Sequence, residues 1–393
     1  MEMQFKKIID LKLNQKVVFI RSDMNVPVKD GIITDDTRIK ASLPTIKYAL
    51  DNGAKVIVAT HFGRPREGEC QMQDSVAPIT NKLSQLLNIQ INLISTMPNK
   101  IEFTNSNLVM LENVRCNVGE KSNSNELGKQ YASLCDVFVH DAFATAHRKE
   151  ASTDSIGRNA KEVCAGILMG QELDALSKVM VTPKTPVVAI VGGSKVSTKL
   201  TILSNLSDKV DVLVVGGGIL NTFLLVMGYE IGNSLAELDL LNEAKQIIDR
   251  MTKRGAKIPL PHDVVVAKSF SADAVTTIKN INNLDDDDMI LDIGPEFAKQ
   301  VANIIEKSGT IIWNGPVGVF EFDAFSQGTK VIADSIANSK GFSLAGGGDT
   351  IAAINKFGIF DKVSYVSTAG GALLEFLEGK KLPAIDLLEQ NGR

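Results

Sequence analysis

The chain is poor in aromatic residues (5%), with one tryptophan, four tyrosines, four histidines and four cysteines among 393 residues. No apolar run approaches the ~20 residues that a membrane-spanning helix needs, which argues against a helical membrane protein. Cys70, Cys116, Cys135 and Cys164 form no CxxC pair and no metal-type spacing. Four reduced thiols in a cytosol are therefore expected, serving as small apolar filler. The segment MEMQFKKIIDLKLNQK has no apolar core followed by a cleavage site, so a secretory signal is not expected and the cytoplasm is. Positive charge is not in excess either. The formal net charge of −4 gives no general pull toward nucleic acid or an anionic membrane, and neither partner is expected.

What is present is 44% hydrophobic composition on a chain long enough for two domains. Short apolar runs ending in Gly, Asp or Asn alternate with helical patterns throughout. The first series is Val17–Ile20, Val56–Thr60, Leu108–Leu111 and Val137–Val139. The second is Val187–Val191, Val212–Val215, Val264–Ala267, Met289–Ile293, Thr310–Trp313, Phe342–Ala345 and Val363–Val366. Helices are expected over Leu43–Asn52, Val76–Leu87, Ala236–Arg254, Gly294–Ser308 and Gln327–Asn338. Uniformly apolar strands alternating with helices predict α/β architecture with parallel sheets covered on both faces. Ala160–Val181 reads as a connecting helix, stopped by Pro183 and Pro186. The acidic run Asp285–Asp288 reads as a solvated loop, with cation binding as the weaker alternative.

The stretch from Phe342 to Ile354 orders the rest: an apolar run, three glycines, Asp349 and Thr350, then helical spacing. A strand, a tight turn and a helix start in that order suit a phosphate, because glycines allow close backbone approach and the helix end is partially positive. Asp349 offers a hard oxygen for Mg²⁺ and Thr350 a hydroxyl. GGSKVSTK (192–199) follows another apolar strand. It is not a Walker A motif, but Lys195 and Lys199, four apart, are expected on one face near the start of a helix. Gly216–Gly218 gives a second glycine turn, WNGPVGVFE (313–321) a rigid loop ending in a carboxylate, and STAGGA (367–372) a further helix start.

Seven of the ten arginines (Arg21, Arg38, Arg64, Arg66, Arg115, Arg148, Arg158) and three of the four histidines precede residue 160. RSDMNVP (21–27), HFGRP (61–65), LENVR (111–115) and DAFATAHR (141–148) each sit at the end of a predicted strand, where α/β proteins place ligand groups. Asp23 and Asn25, two apart, face the same way in extended chain and suit hydroxyls. His61 and His147, each near an arginine, read as hydrogen-bond donors to ligand, whereas His140 and His262 read as structural. One such arginine alone would be a surface ion pair worth about 0–1 kcal/mol. Four loops delivering them to one edge predict a basin for a small phosphate- and carboxylate-bearing molecule.

These motifs, in this order, resemble phosphoglycerate kinase over nearly the whole chain. The resemblance implies two Rossmann-like domains with parallel sheets, joined by a hinge helix, with the C-terminal tail returning to the N-terminal domain. Its boundaries are a phosphoglycerate-binding domain over 1–170, a hinge over 171–186, a nucleotide-binding domain over 187–376 and a tail over 377–393. It implies reversible, Mg²⁺-dependent, direct phosphoryl transfer from 1,3-bisphosphoglycerate to ADP after hinge closure, giving 3-phosphoglycerate and ATP, by a monomer. Asp23, Asn25, Arg38, His61, Phe62, Gly63, Arg64, Arg115 and Arg148 are then expected to hold the phosphoglycerate. Gly193, Lys199, Gly217, Asn314, Pro316, Val319, Glu321, Gly347, Gly348, Asp349 and Thr350 are expected around the nucleotide, with Asp349 on the metal. Arg38, Lys195 and Gly371 are expected around the group in flight. Phe62 stands where the family usually has Leu, Ala144 and Ala369 where glycine is common, and Cys116 where Phe is frequent; none removes a charge. A dehydrogenase binding NAD(P) would share the glycine turns, but Leu220 and Asn221 occupy the region where its third glycine belongs. A non-catalytic solute-binding protein would share the anion clamp, but such proteins are usually exported.

Overall fold

The computed structural model describes residues 3–392. They divide into two compact units, one running to Asp174 and resuming at Lys381, the other covering Ala175–Lys380. The chain passes from the first to the second inside the helix Ile167–Met180.

The first unit is built on a six-stranded sheet, in the order Asn92–Ile94, Leu108–Leu111, Lys55–Ala59, Val17–Ser22, Val137–Asp141, Val163–Ala165, all parallel. Its central strands are buried almost end to end, which is why they read as unbroken apolar runs. Helices Thr37–Asp51 and Ala77–Leu87 lay Ile39, Ile46, Ile79 and Leu83 into this core. The helix Pro383–Asn391 closes the unit: Ala384 N–H donates to Ala146 O (3.1 Å), and Leu387 lies so close to Gly157 that a side chain there would collide with it.

The second unit holds a five-stranded parallel sheet, in the order Val212–Gly216, Val187–Gly192, Thr310–Asn314, Phe342–Gly346, Tyr365–Ser367. The expected apolar runs of this unit give strands, the last shifted from Val363–Val366 to Tyr365–Ser367, but not all in one sheet. Asp263–Ala267 pairs antiparallel with both Thr277–Asn280 and Met289–Ile293 in a separate three-stranded sheet. This antiparallel sheet stands beside the two expected parallel ones, because an apolar run shows burial and not the direction of its neighbours. The expected helix over Ala160–Val181 is also shorter than read. Val163–Ala165 is an edge strand on Val137–Asp141, and the helix begins at Ile167. Two short strands, Val28–Lys29 and Ile32–Ile33, form a hairpin that the pattern did not announce.

Cys70 and Cys116 are joined as a disulfide with Cα atoms 5.4 Å apart, which corrects the expectation of four reduced thiols. The loop carrying Cys70 folds onto the turn Val114–Cys116, with Gly68 N–H donating to Cys116 O at 2.8 Å. Cys135 and Cys164 are free and buried. The acidic run is also more than a solvated loop. Asp288 is buried, and Lys268 and Lys279 reach Asp285 and Asp288 at 2.6–3.0 Å, with Lys268 also on Asp287. Two lysines thus occupy the place a cation would take.

Burial alone would push the Asp288 carboxyl up, but hydrogen bonds from Lys279, the Asp285 amide and Lys268 outweigh it and bring it from 3.8 to about 2. A depressed carboxyl stabilises the fold above its unfolded value and loses that contribution as pH falls from about 4 to 2. Asp288→Asn is expected to lower Tm by about 2–4 °C at neutral pH and to flatten the acid loss over that window. Thermal unfolding against pH measures both.

Candidate active site

In the first unit, strand ends deliver the predicted residues to one place. Asp23 follows Val17–Ser22 directly and accepts from Arg38 Nη1 at 2.8 Å. Arg38 lies in the first turns of the helix Thr37–Asp51 and remains partly exposed. Asn25 Oδ1 accepts from the Gly63 amide at 3.0 Å, and Arg115 Nη1 donates to Gly63 O at 2.7 Å, so that loop is gripped from both sides. Asn113 bonds the Phe62 amide and carbonyl (3.0 and 2.7 Å), fixing where His61 emerges from Lys55–Ala59. Gly63 itself sits at φ 58°, a left-handed conformation that favours glycine.

His61 is buried and feels the charges of Arg21, Arg115, Arg148 and Arg38. Burial first, and then those four guanidinium groups, hold its pKa far below the usual imidazole value, so the ring is neutral. Burial likewise pulls Arg115 down, opposed by Glu150, whose carboxylate is 3.8 Å away. Arg148 Nη1 is buried with no hydrogen-bond partner among the described residues. A buried guanidinium N–H without an acceptor is costly unless a ligand supplies one.

Of the seven early arginines, three lie outside this ring. Arg64 is exposed on the loop beyond Gly63, Arg66 pairs with Glu69, and Arg158 clamps Asp154 with two 2.8 Å bonds. His147 is half-buried next to Arg148. His140 is fully buried, edge-on to Phe138, and His262 is exposed beside Asp263. Arg21 belongs to the ring although the motif reading gave it no role.

In the second unit a cavity of about 690 Å³ opens at the strand ends, lined by Gly193, Gly217, Pro316, Val319, Glu321 and Asp349 among others. Its apolar side comes from Phe270, Met289 and Leu291, residues that no motif marked. Gly217 sits at φ 64°, and a Cβ there would stand 2.6 Å from Gly193 O, so the two glycine turns touch backbone to backbone. Asn314 donates to Gly346 O at 2.7 Å and accepts from Lys199 Nζ, tying the sequence-distant turns together. Burial lowers the Lys199 pKa, with Asp349 opposing. Thr350 is buried, its hydroxyl accepting from the Gly315 amide (2.8 Å) and donating to Gly346 O (3.0 Å), so its hydroxyl is committed within the protein. Gly347, at φ 103°, precedes the helix Gly348–Lys356, and Gly371 is the first residue of the helix Gly371–Leu377.

Lys195 and Lys199 do not share a helical face. The helix starts at Leu200, because Ser197 gives its amide and hydroxyl to Glu237 (2.8 and 2.6 Å) and holds 195–199 as a turn. Lys195 is exposed there, and its side chain makes no ion pair among the described residues. A hollow of about 840 Å³ bordered by Lys257, His262 and Lys299 contains none of the glycine turns and lacks their backbone chemistry.

A parallel-sheet unit with an arginine-ringed basin, and another with a glycine-walled cavity of nucleotide size, define a two-domain phosphotransferase. The family model for phosphoglycerate kinase matches residues 8–380. A solved phosphoglycerate kinase from Coxiella burnetii is 49% identical, with a TM-score of 0.97, over 99% of this chain and 100% of that one. One from Pyrococcus horikoshii is 31% identical with a TM-score of 0.77, over 98% and 99%. The chain belongs to the phosphoglycerate kinase family, and it is a kinase that moves a phosphoryl group between 1,3-bisphosphoglycerate and ADP.

Proposed function

We propose that the first unit binds 3-phosphoglycerate or 1,3-bisphosphoglycerate at the arginine basin, and that the second binds ADP or ATP in its cavity with Mg²⁺ on Asp349. The observation that carries this reading is the neutral His61 ringed by four arginines, two of them, Arg115 and Arg148, with an unanswered buried N–H among the described residues. That is a site built for an anion with several acceptor oxygens. Asp23, Asn25, Phe62 and Gly63 complete its rim, and Arg64, outside the ring on the loop beyond Gly63, reaches the ligand from its exposed position. Residues 171–186 serve as the hinge, and the protein works as a cytoplasmic monomer without nucleic-acid or membrane partners, in keeping with its net charge of −4.

In the ATP-consuming direction the nucleophile is a carboxylate, already ionised at neutral pH, so no general base is required. Catalysis reduces to alignment and to stabilising charge spread over a loose PO₃ group. Arg38, Lys195 and the amides at Gly371 supply that positive potential. Direct transfer needs donor and acceptor within bonding reach, so one unit closes toward the other and excludes water from the acyl phosphate.

Asp349 fits a magnesium ion: it lines the cavity, and its side chain makes no hydrogen bond or ion pair among the described residues. One carboxylate plus nucleotide phosphates is the usual donor set, and the ion, when bound, neutralises phosphate charge. ATP formation from 1,3-bisphosphoglycerate and ADP is expected to require Mg²⁺. Asp349→Asn should raise the Mg²⁺ concentration for half-maximal rate by ~10–100-fold. An unchanged Mg²⁺ requirement would remove Asp349 from the metal.

A further inference from the structure

Beneath the basin lies a buried polar network whose members are scattered in the sequence. Glu120 is fully buried. It receives the Ser152 amide at 3.2 Å on both oxygens, the Ser152 hydroxyl on Oε1 and the Tyr131 hydroxyl on Oε2 at 3.3 Å. Tyr131 in turn accepts from Asn117 Nδ2 at 2.8 Å, so its own proton is committed to Glu120. The Ser152 hydroxyl, having given its proton to Glu120, turns a lone pair to Arg21 Nε at 2.8 Å. Arg21 Nη1 is fixed on Ser22 O at 2.6 Å, and Nη2 stands 3.4 Å from His61 Nδ1.

This chain has one polarity. A guanidinium can only donate, so Nδ1 of the neutral His61 must accept, and the ring proton sits on Nε2. The competing partner, Asp23 Oδ1, is 3.9 Å from Nδ1, beyond hydrogen-bond range. We propose that Glu120 is a positioning residue: through Ser152 and Arg21 it holds His61 in the Nε2–H tautomer, so that a neutral N–H donor faces the phosphoglycerate. This rests on the basin being the phosphoglycerate site. It adds to that site two fully buried residues behind the arginine ring, Glu120 and Ser152, and it assigns a proton to a stated atom.

The charged and titratable groups facing Glu120 are Arg21 from Val17–Ser22, Arg115 from the turn Val114–Cys116, Tyr131 from Asn125–Ser133, and Glu150 preceding Ala151–Ser155. Burial pushes the Glu120 carboxyl up to about 7, against the Ser152 hydrogen bonds and Arg21 that lower it and with Glu150 that raises it. Arg21 donates whether or not Glu120 carries a proton, so what protonation of Glu120 loosens is the placement of Arg21 against Nδ1 and not the polarity at that atom.

The test is imidazole ¹⁵N NMR of the full-length protein together with steady-state kinetics on Glu120→Gln and Ser152→Ala. Glutamine places N–H groups against the Tyr131 and Ser152 donors; Ser152→Ala cuts the relay and leaves Glu120 in place, covering the case in which the glutamine variant fails to fold. Wild type is expected to show the Nε2–H tautomer. Both variants should lose it, with KM for 3-phosphoglycerate raised about tenfold, the worth of one hydrogen bond to an anion, while kcat and KM for MgATP change little. An Nδ1–H tautomer in wild type, or Ser152→Ala with unaltered His61 signals, overturns the proposal. His61→Ala separates the two layers. If it leaves KM for 3-phosphoglycerate unchanged, the reading of the basin itself fails; if it raises KM while Glu120→Gln and Ser152→Ala do not, only the role of Glu120 fails.

Discussion

Arg38→Ala is expected to lower kcat by ~10³–10⁵-fold, the range seen when an arginine that stabilises a migrating phosphoryl group is removed. At 1.36 kcal/mol per factor of ten, that asks Arg38 for about 4–7 kcal/mol of transition-state stabilisation. The bond to Asp23 cannot account for such a loss. It joins a partly exposed guanidinium to a buried carboxylate, and exposed pairs of this kind contribute about 0–1 kcal/mol to stability. Asp23 also keeps the Asn25 amide at 3.2 Å after the substitution. Tm should therefore fall little while turnover collapses. Arg38→Lys keeps the charge but not the two-pronged fork, so it should recover only part of the rate. A variant that loses stability and keeps turnover would reduce Arg38 to a rim ion pair.

Lys195→Ala is expected to lower kcat by ~10²–10³-fold, as for loss of one preorganised donor to developing charge, and to leave KM for the nucleotide nearly unchanged. The separation follows from the turn that Ser197 and Glu237 impose. Lys199 is half-buried and tied to Asn314 beside the glycine walls, whereas Lys195 is exposed and its ammonium makes no ion pair among the described residues, feeling only the more distant charge of Glu237. Losing Lys199 would disturb the cavity, but losing Lys195 removes only a charge available to the reacting group. Unfolding curves should superimpose on wild type. A large rise in KM with kcat intact would instead place Lys195 among ordinary nucleotide contacts.

Much of this was legible because buried parallel strands carry unbroken apolar runs and end where ligands bind. Val17–Ser22, Lys55–Ala59, Val187–Gly192, Thr310–Asn314 and Phe342–Gly346 all announced themselves that way. Direction was not legible: Asp263–Ala267 and Met289–Ile293 are as apolar as the rest yet pair antiparallel. Nor was the fate of buried polar groups. Glu120 looks like any loop carboxylate in CNVGEKSN, and only the fold brings Ser152 and Arg21 to it, 32 and about 100 residues away. The same holds for Cys70 and Cys116, whose 46-residue separation matches no spacing rule, and for Asp288, whose lysine partners come from neighbouring strands and not from its own run. Helix starts were the third gap. A side chain such as Glu237, 40 residues downstream of Ser197, held 195–199 out of the helix.

The division of labour between the two units is open to one direct measurement: backbone amide and histidine-ring NMR shifts of the full-length protein titrated separately with 3-phosphoglycerate and with MgADP. The account predicts that 3-phosphoglycerate moves Asp23, Asn25, His61, Gly63 and Arg148, and that MgADP moves Gly193, Gly217, Val319 and Asp349. Shifts from 3-phosphoglycerate that fall in the glycine-walled cavity and spare His61 would contradict it.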